Sequence, residues 1–122
     1  MRAIFNDVEE FEDQAGRDFL QGKCKDRNVS VNFWHVKNEE LPLVSCWLTA
    51  TYTVDSEPVR LEKFIGEQPT HYFTGGALPI NAQPMRDRLE KMLTRIGFQV
   101  RRGHVTTGRG EPQFFQERKV GK

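Results

Sequence analysis

The sequence predicts an α+β domain: a two-layer sandwich in which an antiparallel sheet, a β-meander plus a C-terminal strand, packs on two helices in the order α-β-β-β-α-β. Three observations lead there. Met85, Leu89, Met92, Leu93 and Ile96 recur at the i, i+4, i+7, i+8, i+11 spacing of one helix face. Val44, Cys46, Leu48, Ala50, Tyr52 and Val54 alternate with Ser45, Trp47, Thr49, Thr51 and Thr53, the period-2 pattern of a half-buried strand. The segments on either side of that strand can be set beside it so that their apolar faces coincide, and a one-residue slip would destroy the match.

The elements follow in chain order. Residues 1–5 (MRAIF) are short enough to be either an edge strand or a disordered leader. Asn6 followed by Glu9 forms a capping-box-like pair, and Val8, Phe11, Ala15 and Phe19 line one side of a helix over residues 7–21. Asp7, Glu9 and Glu10 sit where the helix dipole favours negative charge, and Gly22 is the stop. Gly16 weakens this helix and marks close approach of a neighbouring element. Residues 28–36, 43–54 and 59–65 read as the meander, joined by polar links at 37–40 and 55–58. Taken as four-residue loops, these links pair Phe33 with Val44, Val31 with Cys46, Tyr52 with Leu61 and Leu48 with Ile65. Lys63 then lands opposite Ala50 on the apolar face, as a lysine snorkelling near the sheet edge. Asn81 caps the second helix, Pro84 fits its first turn, and Gly97 ends it so that Phe98 folds back onto the last turn. A last strand runs over residues 98–105.

The 122 residues make one domain, 1–122, with 106–122 as a basic, turn-rich tail whose apolar anchor is Phe114-Phe115. No apolar run approaches the length of a membrane span, and the acidic N-terminus lacks the features of a signal peptide. Two cysteines make no disulfide framework; Cys24 and Cys46 read as reduced thiols, Cys46 inside a strand, of a cytoplasmic protein. The net charge of +1 conceals a segregation: residues 1–20 are net −4, residues 21–83 net −1 and residues 84–122 net +6. Such ends are solvated, attract one another within or between chains, or meet an anionic partner.

No chemistry-bearing constellation emerges. The run 103–110, GHVTTGRG, approaches a phosphate-binding loop, but Arg109 and Gly110 replace its lysine and hydroxyl, and Glu111-Pro112 opens no helix. That excludes nucleotide hydrolysis and leaves a looser anion contact through Arg101, Arg102, His104 and Arg109. His35, His71 and His104 have no metal-ligand spacing with the cysteines, so no metal and no cofactor are expected. Glu117-Arg118-Lys119 matches only half of a nuclease motif and is discounted. The sheet face carrying Trp34, Trp47 and Phe64 is too aromatic for a plainly solvated surface; the Phe114-Phe115 segment covers it, or a partner does.

Three functions of different class fit. The leading one is a non-enzymatic binding or regulatory module whose basic C-terminal segment contacts an anionic partner, nucleic acid foremost. The second is a protein-interaction or homodimeric accessory protein, of an assembly or a mobile element, engaging through Trp34, Trp47 and Phe64. The third is a small enzyme built around the Pro- and Gly-punctuated loop 66–80, with His71 and Tyr72 shaping its pocket.

Overall fold

A computed structural model describes residues 3–38, 40–69 and 82–107, the last four through their backbone alone. The elements are β1 (Ala3–Phe5), α1 (Val8–Leu20), β2 (Asn28–Lys37), β3 (Leu43–Val54), β4 (Glu57–Pro69), α2 (Gln83–Ile96) and β5 (Gln99–Thr107). They form the expected helix-on-sheet sandwich, with one five-stranded sheet in the order β1-β4-β3-β2-β5. Residues 1–5 therefore contain an edge strand. Residues 106 and 107 continue β5, and the rest of the expected tail lies outside the described residues.

The sheet is mixed rather than wholly antiparallel. β2–β3 and β3–β4 are antiparallel hairpins, whereas β1 pairs with β4, and β5 with β2, in parallel. The cause is the connection. A chain that leaves one strand through a helix crosses the sheet before re-entering it, so its next strand runs in the same direction.

Both hairpin registers also shift from the four-residue arithmetic, and each shift is even. Asp55 and Ser56 both take left-handed backbone angles, φ 52 and φ 68. They form a two-residue hairpin turn of the primed kind that suits strand twist, and Tyr52 therefore pairs with Val59, Ala50 with Leu61 and Lys63 with Leu48. The first link is longer than four residues: Lys37 pairs with Val44, Phe33 with Leu48 and Val31 with Ala50. There the Asn38 side chain accepts from the backbone amides of Glu40 and Leu41, both at 2.8 Å. Because the side-chain period is two, even shifts leave every residue on its predicted face. A bulge next to Cys46 and Trp47 drops Ile65 from the ladder and carries β4 on to Pro69, beyond the predicted end at residue 65.

Each helix begins as local chemistry dictates. Asp7, not Asn6, is the α1 cap and accepts from the Glu10 amide at 3.0 Å. Asn6 instead donates to the Glu62 carbonyl at 3.0 Å, tying the start of α1 to β4. At α2 the cap position is Ala82, which offers no side-chain acceptor; Asn81 lies outside the described residues. Gly97, at φ 130, ends α2, and the Phe98 amide bonds back to the Leu93 carbonyl. Phe98 then packs edge-on against Phe19 and beside Tyr52.

The core lies between helices and sheet. Phe11 and Ala15 of α1, Leu89 and Leu93 of α2, and Val29, Val31, Phe33, Leu48, Ala50 and Leu61 of the sheet are fully buried. Gly16 faces Ile96, but a methyl group there would meet it at an ordinary 3.9 Å, so the approach is not close enough to need a glycine.

Candidate functional site

The strand registers lay out the sheet face opposite the helices as rows running across the strands. Phe64, Trp47 and Trp34 stand directly opposite one another on β4, β3 and β2, with Val105 of β5 next in line. Two residues further along, Glu62, Thr49, Asn32 and Gly103 form a second row; two further, Arg60, Thr51, Ser30 and Arg101 form a third. Successive rows are about 7 Å apart, as strand rise requires.

The aromatic row ends in solvent. Trp47 and Phe64 pack edge to face with ring centroids 5.1 Å apart. Trp34 is buried and Trp47 half-buried, while Phe64 is 46% exposed. Leu41, in the β2–β3 link at the same end of the sheet, is 54% exposed. The Trp47 indole N–H is buried without a hydrogen-bond acceptor among the described residues. Orphaned donors of this kind cost roughly 1–3 kcal/mol.

The rows below are polar yet buried. Arg60 donates through Nε to Glu62 Oε2 at 2.9 Å and through Nη1 to Thr51 at 3.1 Å, and both charged residues are more than nine-tenths buried. Thr49 is also buried, with its hydroxyl 3.4 Å from the Asn32 carbonyl. The Asn32 carboxamide occupies the space a side chain at position 103 would need, so a larger residue there would have to displace that carboxamide. The Phe114-Phe115 cover lies outside the described residues.

The basic set is not assembled on one surface. Arg101 pairs across from Ser30 and is exposed on the face that carries the aromatic row. Arg102 pairs across from Val31 on the helix side, where it forms a two-pronged ion pair with Glu90 and lies 3.6 Å from Asp87. The hydrogen bonds it donates to Glu90 hold its guanidinium above the ordinary range. The His104 backbone pairs across from Phe33, while its side chain, Arg109, and the loop residues His71 and Tyr72 lie outside the described residues. A cleft of about 710 Å³ between α2 and β5 is lined by Lys91, Thr94 and Arg95 together with the Arg102–Glu90 pair.

Three buried polar groups went unread in the sequence. Asp18 of α1 accepts from the Tyr52 hydroxyl at 2.7 Å and from Gln14 Nε2 at 3.0 Å inside the core. Burial, reinforced by the bond to Asp18, pushes the Tyr52 hydroxyl far above its ordinary pKa. Arg86 of α2 is 6% exposed, with its guanidinium carbon 5.0 Å from the Phe33 ring centroid and its Nε 4.0 Å from Asp87. The signal was present: Asp18 falls at i+7 from Phe11, and Arg86 at i−3 from Leu89, both on apolar stripes. The two cysteines are free thiols in buried positions, each pushed up to about 11 chiefly by burial. Such thiols are poor nucleophiles.

Among the described residues no group of three or more His, Cys, Asp or Glu is placed to hold a metal ion, and no helix is long and apolar enough to cross a membrane. Comparison with protein-family models, with curated proteins and with solved structures finds no match.

Proposed function

We propose that this chain is a cytoplasmic, non-enzymatic interaction module that engages a protein partner through the aromatic end of the sheet face opposite its helices. The observation that carries this reading is the row Trp34–Trp47–Phe64, held in direct register across three strands and ending in the half-exposed Phe64. A rigid sheet supplies aromatic contact area with little side-chain entropy to lose, and aromatic anchors dominate the energetics of protein interfaces. The unsatisfied Trp47 N–H adds a polar group that an acceptor from a partner would complete. The anionic-partner reading ranks second. It draws on Arg101, because Arg102 is bound to Glu90 and Asp87.

The test is affinity isolation of the tagged chain from its host, in parallel with Phe64→Glu. A charge placed at the centre of a desolvated contact is expected to remove a protein that co-purifies in stoichiometric amount with the wild type. Recovery of the same proteins in the same amounts with both chains would overturn the reading.

A further inference from the structure

The two helices lie side by side on one face of the sheet, α1 over β1 and β4, α2 over β2 and β5. They run parallel, since each leaves one of the parallel strands β1 and β4 and leads into one of the parallel strands β2 and β5. Their outer surfaces carry opposite charge. The exposed charged residues of α1 are Glu9, Glu10, Asp13 and Arg17, net −2, and those of α2 are Asp87, Arg88, Lys91 and Arg95, net +2. Glu9, Glu10 and Asp13 are exposed on α1, and Arg88, Lys91 and Arg95 are exposed on α2. Arg88, Lys91 and Arg95 recur at i, i+3, i+7, a single row about 10 Å long. None of these six has an ion-pair partner within 4.0 Å among the described residues.

Like charges three and four residues apart oppose helix formation. Each helix thus bears a row without a direct ion-pair partner among the described residues, although Arg88 lies close enough to α1 to act on Glu12. Glu12, between the two rows, shows the crowding: burial raises its carboxyl, Arg88 acts against this, and Glu9, Asp13 and Asp7 add to the rise.

We propose that the helical layer is a docking surface for a second copy of this chain, with the acidic row of α1 in each copy lying on the basic row of α2 in the other. The arrangement is self-complementary. A two-fold axis parallel to the helices, set above the groove between them, carries α1 of one copy over α2 of its partner and forms both contacts at once. Exposed ion pairs are individually weak and are screened by salt, so the association is weak and depends on ionic strength. The surface lies on the opposite side of the sheet from Phe64, so Phe64→Glu leaves it intact and the two readings fail independently.

The experiment is sedimentation equilibrium of the full chain at about 0.01 M and about 1 M salt, where the screening length is roughly 30 Å and 3 Å. The mass is expected to rise from 14.2 kDa towards twice that value at low salt and to return to 14.2 kDa at high salt. Lys91→Glu/Arg95→Glu makes both rows acidic, and Glu9→Lys/Asp13→Lys makes both basic. Each variant alone is expected to stay monomeric at low salt, and an equimolar mixture to associate again, because both contacts are then complementary. A second measurement covers the case of a variant that fails to fold: carbodiimide treatment of the wild type should yield a covalent dimer joined between Lys91 and Glu9 or Asp13. A wild type that is monomeric at both salts, charge-reversed variants that still self-associate, a mixture that does not associate, or a dimer joined elsewhere would each overturn the proposal.

Discussion

Tyr52→Phe isolates one buried interaction without disturbing the packing around it. The Tyr52 hydroxyl donates to Asp18 at 2.7 Å, and both residues are almost wholly buried. The ring, which packs on Phe11 and Phe98, stays in place in the variant, so the change removes only the hydroxyl. A hydrogen bond to a charged acceptor contributes about 1.5–3 kcal/mol. Asp18 retains the Gln14 donor, which places the expected loss near the lower end, about 1.5–2 kcal/mol. Urea unfolding followed by circular dichroism reads this directly. With a slope of about 1–3 kcal/mol/M, the midpoint should fall by roughly 1 M while the slope stays unchanged. A double-mutant cycle with Asp18→Asn should return a coupling of about 1 kcal/mol or more. A loss below about 0.5 kcal/mol at unchanged slope would refute the reasoning, because the pair would then not tie α1 to β3.

Two glycines should respond with opposite signs. Gly16→Ala adds a methyl group that meets Ile96 at 3.9 Å, an ordinary contact, so the better helix former should raise stability by up to about 1 kcal/mol. Gly97→Ala instead forces a side chain onto φ 130 and to within 2.5 Å of the Phe19 ring, and should lower stability by about 1–3 kcal/mol in the same urea assay. The buried thiols predict alkaline sensitivity. Cys24 and Cys46 ionise at about 11 when folded against 9.0 ordinarily. Below pH 9 both states keep their protons and the thiols add no pH dependence. Between pH 9 and 11 the unfolded chain loses its protons first, so stability should fall as pH rises. Thermal melts from pH 8 to 11 on wild type and Cys46→Ala check this, and a flat wild-type profile would contradict it.

The faces of the fold and the antiparallel meander at its centre were legible in the sequence, and the directions of the two outer strands were not. Period-2 alternation placed Trp34, Trp47 and Phe64 on one side of the sheet and Val31, Leu48 and Leu61 on the other, and both hairpin shifts were even and preserved that assignment. The two-residue turn escaped notice because Asp55-Ser56 is not a glycine-bearing pair, although both residues adopt the left-handed conformation such a turn demands. The parallel pairing of β1 with β4 and of β5 with β2 is set by crossovers between distant segments, which local pattern does not encode. For the site, the aromatic row could be read from side-chain parity alone. The division of Arg101 from Arg102 was also readable, since neighbours on a strand point to opposite faces. The capture of Arg102 by Glu90 was not, because it depends on how α2 lies over β5.

The central claim is that Phe64 and Trp47 form a contact surface, and a photo-cross-link tests it most directly. A benzoylphenylalanine at position 64 is compared in the native host with one at Leu20, which is 88% exposed at the end of α1 on the opposite side of the sheet. The account predicts a defined covalent adduct of one protein species from position 64, formed at much lower yield from position 20. The absence of any adduct from position 64, or equal capture of the same proteins from both positions, would contradict it.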